Sequence, residues 1–156
     1  MTSFPMEIKP IIWLKGLTAE HLEFARELRN TNKEYFFSHR DITPDMQMEW
    51  YGSMKGDSRY YRFLIIMKNT APIGTISIMY PGTSEDPAEI GNVLITESER
   101  GNGYGTEAVR LAINNIDACG RQYIHLEVIP GNTKAINFYK KLGFVEYSLT
   151  MRMDRK

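Results

Sequence analysis

The 156-residue sequence has a single cysteine, Cys119, which excludes an intramolecular disulfide and fits a reducing compartment. It also lacks a charge surplus, since nineteen basic residues are balanced by nineteen acidic ones. That balance removes the global field that would draw a chain to nucleic acid or to an anionic membrane, leaving only local patches. No apolar run approaches the roughly 20 residues needed to cross a bilayer. The opening "MTSFPMEIKP" has no basic segment followed by an apolar one, so no secretory signal is visible. Internal repeats, low-complexity tracts and linkers are missing as well. These absences predict one cytoplasmic domain over residues 1–156, with no membrane partner, no nucleic-acid partner and no metal site. What is present is ordinary for a soluble globular chain: 42% hydrophobic and 24% charged residues, enough for a sizeable core.

Along the chain, residues 6–14 ("MEIKPIIWL") read as a first strand and residues 18–30 as an amphipathic helix. Leu22, Ala25 and Leu28 lie on one face of that helix, and Thr18 is placed to cap it. Residues 31–41 are aromatic and irregular. Thr43 followed by Pro44 then signals a second helix, because proline suits the first helical position. Residues 60–67 and 71–80 read as a hairpin turning at "KNTAP", and residues 88–95 as the next strand. Val109, Ala112, Ile113 and Ile116 mark a helix that Gly120 can close, with Cys119 read as a packed thiol late in it. A strand over 122–129, a helix over 132–142 and an extended segment over 143–154 complete the pattern. The order β-α-α-β-β-β-α-β-α-β predicts an α+β fold, a mixed sheet in an α/β/α sandwich with helices on both faces.

Residues 100–106, "RGNGYGT", place Gly101, Gly103 and Gly105 at alternate positions before a helix. Such spacing serves a tight turn, close helix–strand packing, or a backbone nest for an anion. In the third case N–H groups turn inward, and the helix start adds its unpaired donors and the positive end of its dipole. A phosphate or pyrophosphate is the natural guest, and Thr106 offers a hydroxyl. Two common phosphate motifs fit poorly. A P-loop needs Gly-Lys-Ser/Thr where this chain has Gly105-Thr106-Glu107, and the dinucleotide fingerprint needs G-x-G-x-x-G. Downstream, Asn132 is placed to cap a helix whose inward face carries Ala135, Tyr139 and Leu142, and Gly143-Phe144 ends it. Taken alone, Tyr139 reads as a core aromatic.

Together the two segments resemble the GCN5-related N-acetyltransferase (GNAT) superfamily of acetyl-CoA-dependent amine acetyltransferases. Arg100-Gly101-Asn102-Gly103-Tyr104-Gly105 matches the family's Arg/Gln-x-x-Gly-x-Gly/Ala signature without a gap. Asn132, Ala135, Tyr139, Gly143 and Phe144 match its second signature. The clear resemblance covers about residues 73–144, and the N-terminal part, with "RELRN", is similar to the ribosomal-protein N-terminal and amino-sugar acetyltransferase branches. The resemblance implies a sheet that splays at the site of its cofactor, acetyl-CoA. It implies that the backbone of Val93, Leu94 and Ile95 pairs with the pantetheine arm, while Arg100, Gly101, Asn102, Gly103, Tyr104, Gly105 and Thr106 wrap the pyrophosphate. It further implies that Asn132 and Ala135 border the cofactor arm and that Tyr139 faces the thioester sulfur. Lys134 and Lys141 are either phosphate partners or a solvated helix face.

The reaction implied is direct attack of an amine on the thioester. An alkyl ammonium with a pKa of about 10.4 must first lose a proton, and a thiolate with a pKa of about 8.5 departs. Tyr139 suits protonation of that thiolate. A backbone N–H at the end of the 93–95 strand suits the oxyanion. For the base, Glu89 and Glu127 occupy positions used by different branches of the family, and water-mediated deprotonation remains a third route. Alternation puts Glu127 on the same strand face as His125.

The acceptor, a small molecule or a peptide N-terminus, would meet the two N-terminal helices and the loop between them. Arg29, Asn30, Phe37 and His39 are the candidate contacts there. An aromatic wall of Tyr35, Phe36, Phe37, Trp50 and Tyr51 with Arg40 suits a nucleotide-linked amino sugar, or else packs the short helices together. Polyamines would favour an acidic cleft, and no acidic run appears. Only twelve residues follow Phe144, which leaves pocket closure and a strand-mediated homodimer open. The competing readings are a non-catalytic acyl-CoA sensor and a Rossmann-type nucleotide binder.

Overall fold

The structure, a computed structural model, describes residues 8–54 and 60–155. Five strands form one sheet in sequence order: β1 (Ile12–Gly16), β2 (Tyr61–Lys68), β3 (Ala71–Met79), β4 (Ala88–Ile95) and β5 (Ile124–His125). The first four pair antiparallel, and β5 runs parallel to β4. Helices α1 (Leu22–Thr31) and α2 (Pro44–Met54) cover one face, and α3 (Tyr104–Ala118) and α4 (Thr133–Lys141) cover the other. The sheet is therefore mixed, as the sequence predicts, and mostly antiparallel.

Cover on both faces explains why β2 reads "FLIIM" without alternation. Ile65 packs toward α1 while Ile66 packs toward α3, and both are fully buried. Burying each aliphatic side chain of that size contributes about 1.5–3 kcal/mol. The β2–β3 hairpin turns at Asn69-Thr70, with Asn69 at φ 53°. Asparagine tolerates that left-handed region better than other non-glycine residues.

The N-termini of the first two helices differ from one another. Thr43 Oγ1 accepts from the Met46 N–H at 3.2 Å, a working cap for α2. Thr18 makes no such bond, because a 3-10 turn, Ala19–His21, intervenes before α1. Gly120 at φ 74° and Gly143 at φ 100° end α3 and α4 as expected.

Four further expectations need correcting. The first strand begins only at Ile12, since β2 ends at Lys68 and offers no earlier ladder partner; residues 6–7 lie outside the described residues. The strand expected over 122–129 is reduced to Ile124–His125, because β4 diverges from it beyond Glu89. The segment 143–154 joins no strand ladder, and Val145, Tyr147, Leu149, Met151 and Met153 are 79–85% exposed. Cys119 is exposed rather than packed, because it lies just past the last turn of α3. No helix among the described residues is long and apolar enough to cross a membrane.

Candidate active site

The site grows out of an irregularity in β4. Thr75 stands opposite Leu94, and Ser77 opposite Gly91, so Asn92 and Val93 together face Ile76 alone. This β-bulge puts Asn92 at φ 52°. The Asn92 carbonyl accepts from Thr75 Oγ1 at 2.7 Å, and its side-chain amide donates to Ser77 Oγ at 2.9 Å. Thr75 and Ser77 are both buried, so these bonds satisfy polar groups that would otherwise be costly. On the other side, β4 pairs with β5 only at Ala88 and Glu89. The outer backbone edge of residues 90–95, including Val93, Leu94 and Ile95, has no strand partner among the described residues. The two parallel strands thus open into a V.

The glycine turn stands at the open end of that V. Gly101 and Gly103 sit at φ 82° and 81°, and a Cβ on either would meet nothing within 4 Å. Both face open space in a conformation that side chains rarely adopt. Gly103 is the N-cap of α3 and has no side-chain cap, so the first N–H groups of α3, at Tyr104, Gly105 and Thr106, have no intrahelical acceptor. Gly105 faces inward instead, toward the Phe138 ring and Ile95.

The Arg100 side chain acts as a strut. Its Nε donates to Ile95 O and its Nη2 to Asn32 Oδ1, both at 2.9 Å. Its backbone N–H donates to Glu97 O at 3.3 Å, and Asn102 Nδ2 donates to Glu99 O at 3.2 Å. Asn32 is buried and donates to Leu28 O, which ties the turn to the end of α1. An open backbone nest, an uncapped helix start and an unpaired strand edge together fit a long ligand with a pyrophosphate and an amide-bearing arm.

Helix α4 brings Tyr139 to the same side of the sheet. Asn132 Oδ1 accepts from the Ala135 N–H at 3.2 Å, so its carbonyl oxygen caps the helix. Tyr139 packs edge-on against Phe138 at 5.0 Å and Phe144 at 5.8 Å between ring centroids. That burial pushes its phenol up to about 12. Lys134 and Lys141 are both exposed.

The carboxylates lie across the sheet. Glu89 stands opposite Met79 and beside His125, which puts it on the face that carries Tyr61, Ser77 and Leu94, toward α1 and α2. Glu127 is exposed and lies beyond the end of β5. No group of three or more metal-ligating side chains occurs among the described residues.

On that face a cavity of about 290 Å³ lies between α1, α2 and the sheet. Arg26 and Arg29 line it from α1, Trp50 from α2, and Tyr61, Asn92 and Leu94 from the strands. A second cavity, of about 440 Å³, lies beside the Arg100 strut and is lined by Asn32, Tyr35 and Glu97 among others. Of the four acceptor candidates only Arg29 lines either of these two cavities. Asn30 holds the Ile42 backbone through both ends of its amide, at 2.8 and 2.9 Å. Phe37 is 62% exposed, and His39 is exposed too. Phe36 is half-buried beneath the Arg29 guanidinium, 3.8 Å from its ring centroid. Sequence reading passed over Asn92 and Tyr61. An asparagine tolerant of positive φ inside "EIGNVLI" was the one available sign of the bulge.

A model of the acetyltransferase (GNAT) domain matches residues 12–145. An uncharacterized N-acetyltransferase of Methanocaldococcus jannaschii is 33% identical over 88 residues, which are 54% of this chain and 39% of that protein. The chain spans well under half the length of the curated relatives it matches. Among solved structures, the apo form of FdhC, a nucleotide-linked sugar GNAT, superposes with a TM-score of 0.78 at 22% identity over 92% of this chain and 84% of that one. The spermidine N-acetyltransferase of Vibrio cholerae, in complex with CoA and spermine, gives a TM-score of 0.78 at 22% identity over 88% of this chain and 82% of that one.

Proposed function

Because the chain belongs to the GNAT acetyltransferase family, we propose that it transfers an acetyl group from acetyl-CoA to the primary amine of a small molecule or a peptide N-terminus. The observation that carries this reading is the unpaired edge of β4 at residues 90–95, running toward the open nest of Gly101 and Gly103. Acetyl-CoA supplies the activated thioester; the residues of the chain bind, orient and move protons around it. The edge of β4 offers backbone donors and acceptors to an amide-bearing arm. Residues 101–106, with the start of α3, hold the pyrophosphate, and Asn132 has its amide nitrogen available beside the arm. The charge that develops on the carbonyl oxygen meets a backbone N–H near the bulge.

Tyr139 faces the sulfur. A phenol at about 12 does not readily hand its proton to a thiolate near 8.5, the step being uphill by about 5 kcal/mol. Tyr139 therefore stabilises the leaving sulfur by donating a hydrogen bond, while solvent completes protonation. Glu89, half-buried on the acceptor face but outside the lining of its cavity, is the better-placed base, acting through water; Glu127 is the exposed alternative. An amino sugar or nucleotide-linked amino sugar is the favoured acceptor, supported by the aromatic and arginine lining of the cavity of about 290 Å³. The nucleotide-linked sugar enzyme with the same fold is consistent with it.

Release of free thiol from acetyl-CoA across a panel of amino sugars, nucleotide-linked amino sugars, N-terminal peptides and polyamines tests the proposal. Acceptor-dependent release is expected. Tight binding of acetyl-CoA without transfer to any amine would instead identify an acyl-CoA sensor.

A further inference from the structure

We infer that the acceptor amine carries an oxyanion, a phosphate or carboxylate group, and that Arg29 receives it; this rests on the acetyltransferase reading above. The cavity between α1, α2 and the sheet is lined by two guanidinium groups and by no carboxylate. Arg26 is already matched, since it is paired with Glu23 and also donates to Ile42 O at 3.2 Å. Arg29 is not matched in this way. Its Nη2 donates to Ser38 O at 2.7 Å and its charge rests on the Phe36 ring, yet its Nη1 is buried with no hydrogen-bond partner.

A buried charged donor without an acceptor is costly, and burial pushes this guanidinium below its ordinary pKa. An incoming oxyanion would supply the missing counter-charge from the cavity side and, once the side chain turns Nη1 toward the cavity, the missing acceptor. The guanidinium suits it, because it is a planar fork held on one arm by Ser38 and on its face by Phe36. The opposite wall of the cavity is Asn92 and Leu94 of β4, so an anchored anion holds the rest of the acceptor toward the strand that borders the thioester. Trp50 and Phe63, packed edge-on at 5.3 Å between ring centroids, add apolar surface to the lining. A polyamine would bring ammonium groups against the unmatched Arg29 guanidinium with no carboxylate in the lining.

The test uses matched acceptors with the full-length protein: glucosamine against glucosamine 6-phosphate, and an α-amino acid against its amide. The pair that responds separates a phosphate from a carboxylate. We expect the anionic member of one pair to be acetylated with a kcat/KM about 10- to 100-fold above its neutral partner. Arg29→Gln should erase that preference through KM, while Arg29→Lys should keep part of it. Should Arg29→Gln fail to fold, the partial loss in Arg29→Lys, which keeps the charge and loses the fork, carries the test. Neutral acceptors used as well as anionic ones, or a preference that survives substitution, would overturn the inference while leaving the acetyltransferase reading intact. Acetyl-CoA binding with no amine acetylated would overturn that reading, and this inference with it.

Discussion

Tyr139 is the residue on which chemistry and stability can be separated. In the proposed reaction its phenol, raised by burial, donates to the leaving sulfur but contributes little to holding the cofactor. Tyr139→Phe should lower kcat about 10- to 100-fold, the worth of a hydrogen bond to a charged group, with the acetyl-CoA Kd nearly unchanged. Unchanged turnover would remove Tyr139 from the mechanism. The same burial has a consequence for stability. Between pH 10 and 12 the unfolded chain has lost the Tyr139 proton while the folded chain still holds it, so stability must fall as pH rises through that window. Tyr80, also raised to about 12 chiefly by burial, adds a slope of the same sign. Urea midpoints measured across this range should therefore drop less steeply in Tyr139→Phe than in the wild type, without becoming flat. An identical drop in the two proteins would mean that this phenol titrates as if exposed.

Among elements, β4 and the turn after it make the proposed site, and they differ in how far the sequence announces them. The glycines of "RGNGYG" are legible because positive φ without a Cβ is a backbone requirement written directly in residue type. Gly103→Asp should abolish binding of CoA, since it strains a φ of 81° and sets a carboxylate where the proposed site places the pyrophosphate. Retained affinity in a titration would move the pyrophosphate elsewhere. The bulge at Asn92 is less legible, because a register shift belongs to a pair of strands and neither strand displays it alone. Asn92→Ala should cost about 1–3 kcal/mol, combining left-handed backbone strain with the donor lost to Ser77. Asn92→Gly should recover the backbone part of that loss. Equal destabilisation by the two changes, measured in urea, would show that the side-chain bonds alone hold the bulge. Arg100 carries a related lesson. Its place in the signature is visible in the sequence, but its use as a strut depends on Asn32, 68 residues earlier at the end of α1.

For the whole molecule, helix–strand order and the two-sided core were readable because periodicity and caps are local. Where strands end was not, because an ending depends on whether a partner continues. Residues 126–129 and 143–154 have strand-like patterns but no ladder, the first because β4 turns away from them. The cavity between α1, α2 and the sheet was likewise hidden, since two helices and three strands build it together. Ligand linkage offers a global check. Acetyl-CoA at 100 times its Kd should stabilise the fold by about 2.7 kcal/mol, raising Tm by about 5–10 °C for a chain of this size. A nicotinamide dinucleotide should give no such rise; the reverse order would favour a Rossmann-type binder.

The claim that the open edge of β4 and the glycine nest hold acetyl-CoA is tested most directly by amide hydrogen exchange with and without CoA. Exchange should slow most at residues 90–95 and 101–106, above any uniform stabilisation of the core. Saturating CoA that left those amides no more protected than the rest of the sheet would contradict the account.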